Sequence, residues 1–529
     1  MKITPIPSSV WTADLGNGFY RNPIMYADYS DLDIVRVGND FYMTASSFVS
    51  TPGLPILHSN DLVNWTLIGH VIDQLPDGFE GRVRHGDGVW APSIRHHNGT
   101  FYIYFGAPDE GIFMTTAQNP AGPWSPLHLV KDVKGWIDPC PFWDEDGHAY
   151  LVHAFANSRC GIKHKLNMCR MKPDGTALLD DGSIVFDGTV DHPTMEGPKL
   201  YKRGGYYYIF APAGGVKTGW QTILRSRSIF GPYEDKIVLH QGHTDVNGPH
   251  QGGYVELDSG ESWFMHFQDR EAYGRIVHLQ PMGWENDWPT MGIDSNGDGI
   301  GEPVSEYRKP NTGSSWPIAV PATSDEFAHS TLGLQWQWQG NSKPEWLSLT
   351  ASPGQLRLMA HPLPQGASTL YEAPNVLCQK LPAPELTVTT KLTLHAGSGI
   401  ERSGLTVFGH QYRYISLESS EAGLRIVLVS GEGSKEGTTE RLDAEVPADI
   451  STVYLRVIIV REAKCLFQYS SDGEVYEPLG DTFDAVPGGW VGAKIGLFCL
   501  KFGEARGSGY ADFDWFHVEN NDSLNDFNE

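Results

Sequence analysis

Cysteine is scarce: six residues in 529 (Cys140, Cys160, Cys169, Cys378, Cys465, Cys499), none in a CxxC pair. That excludes a disulfide frame and a zinc site as organising devices, and the thiols read as small buried side chains in a reducing compartment. Basic residues are also few, 39 Lys and Arg against 64 Asp and Glu, a formal charge of -25 with no basic block to offset it. Neither nucleic acid nor an anionic membrane is expected as a partner, and most of the excess acid reads as solvated surface. No apolar run is long enough to span a bilayer. The amino-terminal MKITPIPSSVWTADLG has one Lys and no apolar core, unlike a secretory signal, so the expected location is cytoplasmic. Long helical periodicity is missing as well, which points to an all-β chain.

What is present agrees. Aromatic residues make up 12%, with 59 glycines and 35 prolines, a composition suited to short strands joined by many turns, and the length favours two domains. The stretch Thr194 to Pro212, TMEGPKLYKRGGYYYIFAP, reads as a hairpin. Its phrase recurs. Asp31 and Tyr42, Ala91 and Tyr102, and Glu196 and Tyr207 bracket similar hairpins at the same spacing; Asp138 to Tyr150 is a copy with one insertion, and a degenerate copy starts at His250. The period of roughly 50 residues is that of a four-stranded propeller blade. Asp61-Leu-Val-Asn-Trp65, Gly122-Pro-Trp124 and Gly231-Pro-Tyr233 recur later in the unit. A five-bladed β-propeller is therefore predicted over residues 1–308, including an N-terminal arm.

Because the first strand of each blade lines the axis, the residues opening the copies converge at one end of the channel. Three of the five are acids: Asp31, Asp138 and Glu196. Like charges in one poorly solvated pocket raise each other's pKa, so one acid stays protonated while another is ionised. Hydrolysis of a glycosidic bond needs such a pair, a proton donor for the leaving oxygen and a base for water. The repeat spacing selects Asp31 over Asp33, read as structural, and over Asp28, which falls before the strand. Turn capping by isolated acids is the bland alternative.

Residues 309–324, KPNTGSSWPIAVPATS, read as a linker. Beyond it the blade phrase stops, and alternating segments such as Glu385 to Leu394 and Thr452 to Val460 predict a β-sandwich over 325–519. The acidic tail 520–529 reads as disordered. Asp294 to Gly299, DSNGDG, copies half of a calcium loop but has Ser305 at the twelfth position, so a surface turn is the better reading. In the sandwich, Asp325 and Glu326 with Asp512 and Asp514 admit a structural calcium, though turn capping is preferred.

The phrases Ser30-Asp-Leu-Asp33 before Arg36-Val-Gly38, Trp90-Ala-Pro-Ser93, Trp136-Ile-Asp-Pro139, Glu196-Gly-Pro198 and His250-Gln-Gly-Gly253 together resemble glycoside hydrolase family 43. The resemblance covers Asn22 to about Pro303 and extends through the linker to the concanavalin-like sandwich of its β-xylosidase branch; Leu32 stands where members usually have Pro. It implies Asp31 as general base, Glu196 as general acid kept protonated by ionised Asp138, and inversion, with Asp31 and Glu196 about 6.5–9.5 Å apart. It further implies Phe48 and Trp90 as walls of the terminal-sugar subsite, Arg275 as a contact to sugar hydroxyls, and His250 near a calcium or water in the channel. No cofactor is required for the chemistry. The expected activity is release of terminal xylose from short β-1,4-xylooligosaccharides. α-L-Arabinofuranosidase activity is the alternative, alone or as a second activity; a non-catalytic carbohydrate-binding propeller is the rival from another class. Oligomeric state is left open.

Overall fold

The structure, a computed structural model, describes residues 10–81, 83–434, 436–502 and 509–521. Five antiparallel four-stranded sheets follow one another along the first part of the chain, each in simple sequential order. Their first strands are Asp33–Val37, Trp90–His97, Trp136–Trp143, Lys199–Arg203 and His250–Glu256. The first strands of the first four blades pack in succession, the first strand of the fifth packs on the first strand of the first blade and on the second and third strands of the fourth, and so the sheets close into a ring.

The alternation that makes these runs strands also builds the ring, since each sheet presents an apolar face to both neighbours. One apolar layer lies at each of the five blade junctions. The layer between the last and first blades holds Ile34, Phe41, Met43, Trp263, Met265 and Phe267, all almost fully buried. Burying each such side chain contributes about 2–3 kcal/mol. Closure is reinforced outside the blades, where Phe19–Arg21 pairs with Glu306–Arg308 and the Asn22 amide donates to the carbonyls of Leu279 and Val304.

The second domain is a two-sheet sandwich, with an eight-stranded sheet on each side. Strand Thr452–Val460 alternates buried and half-buried residues along its length, and Leu386–His395 runs beside it. Residues 309–324 contain no strand, yet they are strapped to the first blade. Lys309 Nζ lies 2.5 Å from Asp14 and 2.7 Å from Asp61, and Ala319 exchanges bonds with Trp65 N–H and the Asn64 side chain. The tail starts bound as well: the Asn521 amide donates to Ile459 O and its oxygen accepts from Thr387; the rest of the tail lies outside the described residues.

The acids flagged in the sandwich are matched by cations and donors, not by a calcium cage. Asp512 receives Arg357 through two bonds of 2.8 Å, Asp514 faces Lys391 at 2.5 Å, and Asp325 caps Phe327 N–H and accepts from the Trp336 indole. Asp294 likewise accepts the N–H groups of Gly297 and Gly299, closing a surface turn. Among the described residues no helix is long and apolar enough to cross a membrane.

Candidate active site

Each inner strand begins with the same irregularity. Asp31, Ala91, Asp138, Gly197 and Gln251 all have positive φ, between 37° and 57°. In the second, third and fifth blades the hairpin register slips there by one residue. The first and fourth blades carry the same bulge, bounded by the bonds Ser46 N–H to Ser30 O and Glu196 N–H to Pro212 O. A bulge turns the strand and re-aims its side chains. Five bulges at one end of the ring therefore build the channel mouth.

Asp31 and Asp138 are the bulged residues themselves. Glu196 stands one residue before its bulge, in the place of Ser30, Trp90, Ile137 and His250. The equal spacing of Asp31 to Tyr42 and Glu196 to Tyr207 is a coincidence of phase: both hairpins close two-residue turns, at Val37–Asp40 and Arg203–Tyr206, and the counterpart of Tyr42 is Tyr208, so Glu196 and Tyr207 are displaced by the same single step. The three acids thus share a site without sharing one repeat position.

Asp31 is buried and fully engaged. Arg275 Nη1 donates to its Oδ1 at 2.8 Å, and the hydroxyls of Ser30 and Ser46 donate to its Oδ2 at 2.7 Å each. Arg275 also donates to Ser30 Oγ at 2.5 Å, and Ser46 Oγ accepts the N–H of Ala91 from the next blade. One cation and two hydroxyl donors suit a carboxylate in its ionised form. Arg275, expected as a sugar contact, is thus aimed first at Asp31.

Asp138 is 4% exposed. Its carboxyl is pushed up to about 8, first by burial, then by the charge of Glu196 and, more weakly, of Asp31; the Gly197 N–H, 2.7 Å from Oδ2, and Lys199 act the other way. This revises the expected division of labour. Asp138 was to be ionised beside a protonated Glu196, whereas the deeper burial of Asp138 disfavours its own ionised form. The two behave as one coupled pair that retains a proton near neutral pH. Glu196 is the accessible member, its side chain 30% exposed.

His250 Nε2 lies 3.3 Å from Glu196 Oε1, and neither ring nitrogen has a hydrogen-bond partner among the described residues. Calcium takes six to eight oxygen ligands, and no group of three or more His, Cys, Asp or Glu side chains able to hold a metal occurs among the described residues. The donor set does not fit a protein-built calcium site. Asp33 is structural, accepting from Arg95 at 2.5 Å and from Ile94 N–H.

Phe48 and Trp90 stand side by side, ring centroids 6.4 Å apart. Phe48 is buried, with positive φ, and bridges Val89; Trp90 is half-buried and donates to Gly86 O. A third ring escaped the sequence reading. Trp490, from a sandwich loop, packs edge-on to Trp90 at 6.2 Å and remains 58% exposed. Its signal was local: Gly488, Gly489 and Gly492 surround an aromatic residue in a segment too irregular for a strand. A cavity of about 810 Å³ lies elsewhere, between the N-terminal arm, the linker and the sandwich edge, and is lined by none of Asp31, Asp138 and Glu196.

Comparison with known proteins agrees with this geometry. The model of glycosyl hydrolases family 43 matches residues 20–289, and that of the β-xylosidase C-terminal concanavalin A-like domain matches 324–519. A protein of Xylanibacter ruminicola that carries the name of a β-xylosidase is 42% identical over 490 residues, covering 92% of this chain and 87% of its own. A non-reducing end α-L-arabinofuranosidase of Bacteroides ovatus is 31% identical, with 96% of each chain covered. The crystal structure of a xylan β-1,4-xylosidase from Bacillus halodurans superposes with a TM-score of 0.82 at 26% identity, covering 94% of this chain and all of that one. The chain belongs to glycosyl hydrolase family 43 and is an inverting glycoside hydrolase.

Proposed function

We propose that the protein is an exo-acting β-xylosidase that releases the terminal xylose of β-1,4-xylooligosaccharides. Asp31 acts as general base on the attacking water, Glu196 as general acid on the leaving oxygen, and Asp138 as the partner that keeps a proton in the Glu196 pair. The observation carrying this reading is the contrast between two carboxylate environments at one channel mouth. Asp31 is fixed by Arg275, Ser30 and Ser46, whereas Asp138 and Glu196 repel each other's charge in a poorly solvated setting. Inversion requires that pairing of an ionised base and a protonated acid.

Phe48, Trp90 and Trp490 supply the apolar wall against which a pyranose ring stacks. The sandwich thereby contributes to the pocket through one residue. α-L-Arabinofuranosidase activity is the second reading, favoured by the similarity along the whole chain to an enzyme of that name.

Initial rates on aryl β-D-xylopyranoside, aryl α-L-arabinofuranoside and xylobiose test the reading. The xyloside should be hydrolysed faster, and the first sugar released from xylobiose should be the α-anomer. Glu196→Gln should lower xylobiose turnover by about 10²–10⁴-fold, the usual reach of a general acid, with a smaller loss on an activated aryl leaving group. A faster arabinofuranoside reverses the substrate preference, and undiminished turnover of xylobiose by Glu196→Gln refutes the acid assignment.

A further inference from the structure

Asp28 precedes the first inner strand and is 6% exposed. Its two oxygens point to different domains. Oδ1 accepts the backbone N–H of Arg275 at 2.9 Å, and Oδ2 accepts the backbone N–H of Gly492, in the sandwich, also at 2.9 Å. Both partners matter to the site. Arg275 opens the third strand of the last blade and donates to Asp31; Gly492 ends the loop that carries Trp490.

The surroundings are shaped to let this carboxylate reach both. A Cβ on Gly274, which has φ 71°, would meet Asp28 Cγ at 2.5 Å, and a Cβ on Gly492 would meet Gly274 N at 2.6 Å. The next sandwich residue continues the contact, Ala493 N–H donating to Ala272 O at 2.7 Å. Charge agrees with geometry. The ammonium groups of Lys380 and Lys494, on the sandwich side, are each disfavoured by burial and supported by the charge of Asp28. Lys494 also donates to Ser50 Oγ at 2.7 Å, while Lys380 sits 5.2 Å from the ring of Tyr29.

We infer that Asp28 is a positioning residue for hydrolysis: by holding Arg275 N–H and Gly492 N–H together, it couples the seating of the sandwich loop to the Arg275–Asp31 pair. The sandwich then does more than wall the pocket with Trp490. Its docking sets where the last blade's third strand begins, and with it the guanidinium that donates to Asp31. This rests on Asp31 being the general base.

The test turns on a difference of sign. Groups facing Asp28 are Lys380, Lys494, Tyr29 and the Arg275 backbone; those facing Asp31 are Arg275, Ser30, Ser46 and, in the channel, Asp138. Removing the Asp28 charge by itself takes a negative charge from near Asp31 and moves the acid limb of the kcat/KM profile to lower pH. Loosening Arg275 removes stabilisation of the ionised base and moves that limb to higher pH. Asp28→Ala should therefore lower kcat about tenfold or more and shift the acid limb upward by at least about half a pH unit, a reach consistent with one displaced charged hydrogen bond. Asp28→Asn, which keeps one acceptor, should recover part of kcat. Gly492→Ala changes no charge and sits in the other domain, yet its Cβ would push the loop off Gly274; it should shift the limb in the same direction.

Melting temperature and far-UV circular dichroism confirm that each variant is folded, and Gly492→Ala carries the test if Asp28→Ala does not fold. A limb that stays put or moves down in both variants, or a Gly492→Ala effect confined to KM, would overturn the coupling. Retained turnover in Asp31→Asn would instead overturn the base assignment, a separate failure.

Discussion

At the scale of single residues, the site is set by how three carboxylates differ in what surrounds them. Asp138 carries the clearest consequence, because a folded-state pKa near 8 lies well above that of an unfolded Asp. The native state holds a proton that the unfolded chain has released. Stability associated with this group is intact below about pH 4, falls as pH rises through the interval to about 8, and is fully lost above it. Asp138→Asn removes the penalty while retaining an acceptor for Gly197 N–H. The variant should be nearly inactive yet more stable, by on the order of 2 kcal/mol at pH 8 and by almost nothing at pH 4. Melting curves at the two pH values check this, and a gain that does not grow with pH would contradict it. That these acids meet was legible from residue types and a repeat, whereas the raised carboxyl of Asp138 was not. It depends on 4% against 30% exposure, which alternation patterns do not report.

At the scale of elements, the deciding feature is the bulge that opens every inner strand. Hairpins and their number were readable because turn residues and period-2 runs are local. A one-residue slip is not, and Glu196 matches the repeat spacing only because Tyr207, in the run Tyr206 to Tyr208, is out of phase by the same step. Non-glycine residues held at positive φ cost about 1–3 kcal/mol each, and Asp31, Ala91, Asp138 and Gln251 all adopt that region. Glycine occupies the bulge only in the fourth blade, where space is the reason. A Cβ on Gly197 would meet Gln251 Cδ at 2.7 Å. Gly197→Ala should therefore cost about 1–2 kcal/mol of stability and at least tenfold in kcat, because Glu196 precedes it and its N–H is the one donated to Asp138. Thermal melts and single-turnover rates on xylobiose measure the two effects, and unchanged kcat would show that the bulge geometry tolerates displacement.

At the scale of the whole molecule, the composition of residues 309–324 marked a linker between two domains and said nothing of how they meet, and the contacts show that they share a core. Tyr26, Ala272, Tyr273 and Ile276 of the propeller belong to the same apolar cluster as the sandwich core, with Trp336, Leu386, Val457 and Phe516. Backbone bonds cross the junction: Thr51 and Trp338 exchange N–H donors at 3.1 and 2.6 Å. Tyr273 is the central tie, its hydroxyl donating to Pro384 O at 2.7 Å and accepting Ala463 N–H at 2.8 Å. Such long-range pairings have no local signature, which is why the Asp28 contact was missed along with them. A shared core and shared ladders mean that neither domain can open without exposing the other's apolar surface. Calorimetry should accordingly show one unfolding transition, its van't Hoff and calorimetric enthalpies agreeing. Tyr273→Phe leaves Ala463 N–H without its acceptor and Pro384 O without its donor, a loss of about 1–3 kcal/mol. It should lower that single transition without splitting it. Two transitions, with the mutation moving only one, would mean that propeller and sandwich are coupled at the active site alone.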